Sequence, residues 1–262
     1  MSLKALYAAA TGMDAQQARV DDIANNLSNV NTTGFKASRE SFEDLFYDQV
    51  QTPGSNTGTN TLSPVGIQIG HGTRLVGVYK HFSQGEFSQT NRELDVGIEG
   101  NGFLPFIQED GTTAYTRDGS LSVDASGNLV TKKGLLLSPT ITIPSDATSI
   151  TIAKDGTVSS TVTGQASAST LGKIQLAIFP NAAGLKSLGQ NLFSETAASG
   201  TATLLDPGVS GAGTLSQGFL ENSNVNVAEE LINMIVAQRV YEANSKVMTT
   251  TNEMLRTSNS VI

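Results

Sequence analysis

From Leu3 onward, apolar residues recur at alternating steps of three and four: Leu3, Leu6, Ala10, Met13, Val20, Ala24 and Leu27, with Gln17 as one polar break. On a helix this spacing forms a single a/d seam. Gly12 lies within it and costs about 1 kcal/mol relative to alanine, so the helix must draw stability from a partner. Asn29 to Gly34 supplies turn formers and a glycine able to take positive φ, which predicts the stop. The same spacing returns at the other end in Val227, Leu231, Met234, Gln238, Tyr241, Ser245, Met248, Asn252, Leu255, Asn259 and Ile262. A second stripe runs beside it through Ile232, Val236, Val240, Ala243 and Val247. Ser223 or Asn224 is the expected N-cap, and Glu229 and Glu230 suit the positive end of the helix dipole. A helix of about 35 residues spans about 50 Å.

Two heptad helices at opposite ends of one chain can pair antiparallel. Pairing occupies one stripe of the C-terminal helix, and the second stripe then calls for partners from other chains. The competing reading is an ordinary intramolecular helical hairpin that caps a β domain.

Between the helices the period changes to two. Asp110-Gly111, Asp118-Gly119, Ser126-Gly127-Asn128 and Asp155-Gly156 punctuate short alternating runs such as 113–116, 121–123 and 128–130. Such turn pairs between alternating segments predict β-hairpins. Runs at 141–144, 149–152 and 173–179 add further strands, which places an antiparallel all-β domain over about residues 94–204. Two stretches lack any usable apolar period, 51–64 (QTPGSNTGTNTLSP) and 197–213, and both read as loops. The expected organisation is therefore α+β and multidomain. Residues 1–34 and 221–262 form a terminal coiled-coil domain. Residues 35–93 and 205–220 form a connecting region that includes the 51–64 insertion, and 94–204 form the β domain.

Composition narrows the function. Only 15% of the 262 residues are charged, against about 25% in typical soluble domains, and the net charge is −8. Nucleic acid is thereby disfavoured as a partner, because phosphate binding needs clustered Lys and Arg. A surface so poor in charge suits a protein covered by neighbours, as well as a merely Thr-rich β protein. Cysteine is absent and only His71 and His81 are present, so disulfides, thiol catalysis and multi-His or Cys-ligated metal sites are excluded. The N-terminal apolar run breaks at Thr11-Gly12 and continues as an amphipathic pattern, unlike a signal peptide.

Little catalytic chemistry survives inspection. Asp118 precedes a glycine, which favours a turn, and His71 is a lone imidazole between glycines. Dinucleotide, P-loop and nucleophile-elbow motifs are missing. The expectation is no catalytic, cofactor-binding or metal-binding residue and no cofactor.

The termini carry a resemblance. Ala10-Thr11-Gly12-Met13, Gln16-Gln17 and the run Asn25-Asn26-Leu27-Ser28-Asn29-Val30-Asn31-Thr32-Thr33-Gly34-Phe35-Lys36 resemble the N-terminal signature of bacterial flagellar rod and hook proteins. Leu220 to Asn226, with Ser223, Asn224 and Val225, and then Gln238-Arg239-Val240-Tyr241-Glu242-Ala243-Asn244-Ser245-Lys246 and Met254-Leu255, resemble the C-terminal one. Gly100-Asn101-Gly102-Phe103, Tyr115 to Gly119 and Asn191-Leu192-Phe193 fit the middle. Chain length and the 51–64 stretch look most like members that build a straight rod, where such an insertion accompanies stiffness. A hook or proximal rod position, or a secreted β-rich enzyme or adhesin on a helical stalk, are the alternatives.

The resemblance implies a structural subunit that polymerises helically around an export channel, helices inside and β domain outside, and transmits torque. Implied partners are further copies of itself, the proximal rod proteins, the hook protein, the surrounding ring proteins of the peptidoglycan and outer membrane, and the flagellar type III export apparatus. The implied location is the basal body, reached without signal cleavage. The expected self-assembly residues are Leu3, Leu6, Ala10, Met13, Gln17, Val20, Leu27, Leu231, Met234, Gln238, Tyr241, Met248 and Leu255. The polar seam residues Gln17, Gln238 and Asn252 would fix register.

Overall fold

A computed structural model describes residues 2–53, 56–58, 61–62, 65–162 and 168–260, with side chains for 4–53, 65–162 and 168–258. The chain divides into two compact units. One comprises Met1–Leu27, Ser38–Tyr79 and Asn226–Ile262, and the other Ser28–Ala37 and Lys80–Val225. We call them the helical unit and the β unit.

In the helical unit, α1 (Ser2–Ser28) and α2 (Val227–Ser260) are the expected long helices, and they touch. They run antiparallel: Asn26 meets Glu230, Gly12 meets Asn244, and Ala5 and Ala8 share a cavity wall with Thr251 and Met254. Helix α2 starts later than Ser223 or Asn224 allows. Its cap is Asn226, whose Oδ1 accepts the backbone N–H groups of Ala228 at 3.1 Å and Glu229 at 3.4 Å. The unit also holds two-stranded ladders. Ser38–Asp44 pairs with Thr73–Lys80, and Tyr47–Gln51 pairs antiparallel with Ile67–Gly70. Within the supposed loop 51–64, Asn56–Gly58 pairs with Thr61–Leu62, so this stretch is partly a hairpin. Gly54, Ser55, Thr59, Asn60, Ser63 and Pro64 of that stretch lie outside the described residues.

The β unit is antiparallel throughout its ladders. Its largest sheet has seven strands in the order Leu121–Val123, Leu129–Thr131, Leu136–Leu137, Leu104–Ile107, Thr113–Thr116, Leu192–Ser194, Lys186–Gly189. A three-stranded sheet joins Ala147–Ile152, Thr157–Val162 and Ser169–Lys173. Between the sheets and their flanking ladders lies a largely aliphatic core, including Val96, Ile98, Leu104, Leu121, Ile152, Val158, Ile174, Leu176 and Leu215 with the single ring of Phe106, all close to fully buried. A second cluster is aromatic. Phe82, Phe103, Tyr115, Phe179 and Phe193 pack edge to face, with Tyr115 and Phe179 centroids 4.8 Å apart.

Three hairpin turns fall where the glycines predict them. Gly111, Gly127 and Gly156 take φ of 83°, 85° and 85° between paired strands. Asp118-Gly119 differs, because the strands on either side of it are not neighbours in the sheet. Asp118 Oδ1 instead accepts the N–H and hydroxyl of Ser120, and a Cβ on Gly119 would fall on the Val96 carbonyl. Close backbone approach, not a hairpin, selects that glycine. The run 173–179 is also two strands, Ser169–Lys173 and Leu176–Ile178, which pair with different partners. The 141–144 run makes only a single bridge, Asn128 to Thr142. In the supposed loop 197–213, Thr203–Leu205 forms a strand against Leu176–Ile178.

Candidate functional site

Two places gather the residues singled out from the sequence. The first is the helix pair. Among the described residues, the buried positions of α1 are Ala9, Ala15, Ile23 and Asn26, and those of α2 are Ala237 and Thr251. On α2 the line facing α1 runs through Glu230, Met234, Ala237, Asn244, Met248, Thr251 and Leu255. It keeps the heptad step and shares Met234, Met248 and Leu255 with the sequence seam, but replaces Leu231, Gln238, Ser245 and Asn252 with their preceding neighbours. Leu6, Ala10, Met13, Val20 and Leu27 are half-buried beside the α1 line, while Gln17, Leu231, Gln238 and Tyr241 stand exposed. The side chain of Leu3 lies outside the described residues.

Small size decides the line. A Cβ on Gly12 would lie 2.8 Å from Asn244 Nδ2, so glycine there lets the Asn244 amide sit against α1. Ala9 and Ala237 serve the same close packing, which an apolar count cannot distinguish from exposed alanines such as Ala24. Near the other end, Asn26 is buried and fully engaged. Its Nδ2 donates to the Ser38 carbonyl at 3.0 Å and to Glu230 Oε1 at 3.3 Å, while its Oδ1 accepts from Ser38 N at 2.9 Å. Burial raises the Glu230 carboxyl above the ordinary glutamate range, against the opposing Asn26 hydrogen bond. Asn25, Arg239 and Lys246, also signature positions, lie exposed.

What α2 leaves uncovered is the second stripe. Ile232 is 62% exposed, and Ile235, Val236, Val240 and Val247 are exposed with it. All five stripe residues read from the sequence, Ala243 included, remain at the surface. Contiguous apolar area of this kind marks a contact surface in proteins that assemble.

The second place is in the β unit, where the remaining signature residues meet. Gly34 takes φ of 69°, and its N–H donates to the Glu221 carbonyl at 2.8 Å. Asn191 Nδ2 donates to the Thr33 carbonyl at 2.9 Å, and Asn29 Oδ1 accepts from the Thr32 hydroxyl. Phe35, Ala37 and Val225 form a small buried cluster, with the Lys80 ammonium 4.3 Å from the Phe35 ring centre. Asn224 is no cap. Its Oδ1 accepts from Ala37 N at 2.7 Å and its Nδ2 donates to the His81 carbonyl at 2.8 Å, tying two segments together. Ser223 Oγ accepts from Val225 N, and Asn31 is exposed.

Sequence reasoning missed the charged centre of this region. The side chains of Lys36, Arg117 and Glu221 are 0%, 3% and 0% exposed. Lys36 Nζ donates to Glu221 Oε1 at 2.6 Å and to the Ser83 carbonyl at 2.7 Å, and Gly85 N donates to the same Oε1 at 2.8 Å. Arg117 reaches Glu221 Oε2 at 3.4 Å and lies 5.4 Å from the Phe103 ring centre. Burial pulls both the Lys36 ammonium and the Arg117 guanidinium down, opposed in each case by Glu221. The one available signal was that Lys36, Arg117 and Glu221 each sit inside a run that carries the family resemblance, 25–36, 115–119 and 220–226.

A helix pair with an uncovered apolar face and a β unit welded by buried polar contacts define a structural subunit whose chemistry is packing. Three family descriptions match the chain: "Flagella basal body rod protein" over residues 6–36, "Flagellar hook protein FlgE/F/G D1 domain" over 97–160, and "Flagellar basal body rod FlgEFG protein C-terminal" over 216–261. The flagellar basal-body rod protein FlgG of Borreliella burgdorferi is 48% identical over 261 residues, covering 99% of this chain and 98% of that one. Those of Buchnera aphidicola subsp. Baizongia pistaciae and Caulobacter vibrioides are 48% and 45% identical, covering 97% and 99% of this chain and 98% and 99% of theirs. The chain belongs to the FlgG family of flagellar basal-body rod proteins, a non-enzymatic structural subunit of the rod.

Proposed function

We propose that the chain polymerises helically into the straight, hollow distal shaft of the rod, with the paired helices lining the inner tube and the β unit on the outside. The expected partners are other copies of the chain, the proximal rod below, the hook above, the ring proteins that surround the shaft, and the type III export apparatus that delivers each subunit. Torque passes through many subunit contacts in parallel. Within this reading the 51–64 stretch bridges neighbouring subunits and holds the tube straight.

The observation that carries the reading is the uncovered stripe of α2: Ile232, Ile235, Val236, Val240 and Val247. Covering one such aliphatic side chain fully contributes about 1.5–3 kcal/mol before ordering costs, so a few per subunit suffice to bind copies together. The exposed seam residues Gln17, Gln238 and Tyr241 belong to the same assembly surface.

The test is assembly of purified chain, followed by electron microscopy. Ile232→Lys with Val236→Lys leaves α2 intact, because lysine is a good helix former at exposed positions. The expected result is unchanged far-ultraviolet circular dichroism and a critical concentration raised more than tenfold, with tubes lost at working concentration. Normal straight tubes from this variant would refute the proposed role of the stripe.

A further inference from the structure

The β unit is closed by segments from both ends of its sequence. The N-terminal strap 28–37 brings Lys36, the middle brings Arg117, and the C-terminal return 214–225 brings Glu221. That return also supplies Thr214–Gln217, paired with Val96–Glu99, and Phe219–Glu221, paired with Phe87–Gln89. Leu215 on it is completely buried in the aliphatic core.

The charge arrangement is asymmetric in sequence order. Two cations, Lys36 and Arg117, come from the first half of the chain. Glu221, the only carboxylate either of them pairs with among the described residues, comes from near its end. A buried cation without its counter-ion is strongly destabilising, because desolvation is no longer offset. Both oxygens of Glu221 are in use, Oε1 taking Lys36 and the Gly85 N–H and Oε2 taking Arg117. The neutral bonds that remain to the cations, Lys36 to the Ser83 carbonyl and Arg117 to the Ile98 carbonyl, do not neutralise them.

We propose that Glu221 is a closing latch: the β unit cannot shut over Lys36 and Arg117 until the C-terminal return arrives with its carboxylate. A chain emerging N-terminus first, from the ribosome or through a narrow channel, therefore keeps residues 28–213 open and pliable until residue 221 is free. Premature closure is prevented by an electrostatic cost as well as by missing strands. The latch concerns the β unit alone and does not depend on polymerisation.

The experiment uses the full-length chain, with amide hydrogen exchange read at Val96–Glu99 and at Phe103–Arg117. Glu221→Gln keeps size and hydrogen-bonding capacity but leaves two buried positive charges unbalanced. Exchange at these amides should speed up by at least about 100-fold, while the protection of α2 changes little. Glu221→Gln combined with Lys36→Met and Arg117→Met removes every charge of the cluster and leaves no cation without a counter-ion, so exchange should come back to within about tenfold of the natural chain. Natural-like protection in the single variant would overturn the latch. So would a triple variant as open as the single one, since shape and hydrogen bonding would then matter and charge would not.

Discussion

At the scale of single residues, the clearest constraint is Gly34. It sits at φ of 69°, and a Cβ there would lie 2.8 Å from Asp118 N and 2.9 Å from the Arg117 carbonyl carbon, both main-chain atoms that cannot swing away. Gly34→Ala therefore meets backbone strain and a fixed neighbour together, and denaturant unfolding should show a loss of at least about 1–3 kcal/mol. A loss within 0.5 kcal/mol, roughly the spread of neutral surface changes, would disprove the close approach. The sequence made the positive φ legible, since Asn-Thr-Thr-Gly after a helical run reads as a terminator. It did not make Asp118 legible as the neighbour, because that contact spans 84 positions in sequence. The same limit hid Asn224. An asparagine three residues before a helix looks like a cap, but here its amide is recruited by Ala37, His81 and Ser83, and Asn226 does the capping.

At the scale of elements, heptad spacing gave the two helices, their antiparallel pairing and three of the seven residues of the α2 contact line. It missed the other four because small or polar residues, not the most apolar ones, hold those positions. Gly12 leaves room for the Asn244 amide, and Ala9, Ala237 and Thr251 are buried, whereas Leu231 and Gln238, better seam residues by hydropathy or register, are exposed. Glu230 gives this packing a pH signature. Its folded pKa is raised by burial above the ordinary 4.5, so the folded state binds the proton more tightly than the unfolded chain. Stability from this group is thus present below about pH 4.5 and falls as pH rises through the raised value. Glu230→Gln keeps an acceptor for Asn26 Nδ2 and removes the charge. Its melting temperature should exceed that of the natural chain at pH 7, by an amount worth no more than about 1 kcal/mol for a group only half-buried, and the difference should close at pH 4. A variant less stable at pH 7 would mean that the helix dipole and Arg39 outweigh burial.

At the scale of the whole molecule, the two compact units follow different rules, and the sequence exposes one rule better than the other. Period-two runs with turn glycines located Thr113–Thr116, Leu121–Val123, Leu129–Thr131, Ala147–Ile152 and Leu176–Ile178, a minority of the strands of the β unit. The order of its seven-stranded sheet could not be read, because Leu104–Ile107 sits between Leu136–Leu137 and Thr113–Thr116 through pairings that local turns do not encode. For assembly the governing quantities are global: a net charge of −8 and only 15% charged residues. In the proposed shaft, copies repel one another through that charge and adhere through apolar area on α2, and on that reading added salt acts in one direction. Sodium chloride raised from about 10 to 150 mM shortens the screening length from about 30 to 8 Å, which weakens the repulsion and should lower the critical concentration for tubes. Sulfate at matched ionic strength should lower it further, because it strengthens apolar burial beyond screening. Light scattering of purified chain across the two salt series reads both effects. If rising chloride instead dissolves the tubes, ion pairs between subunits hold the shaft together, and the apolar face of α2 is not its principal adhesive.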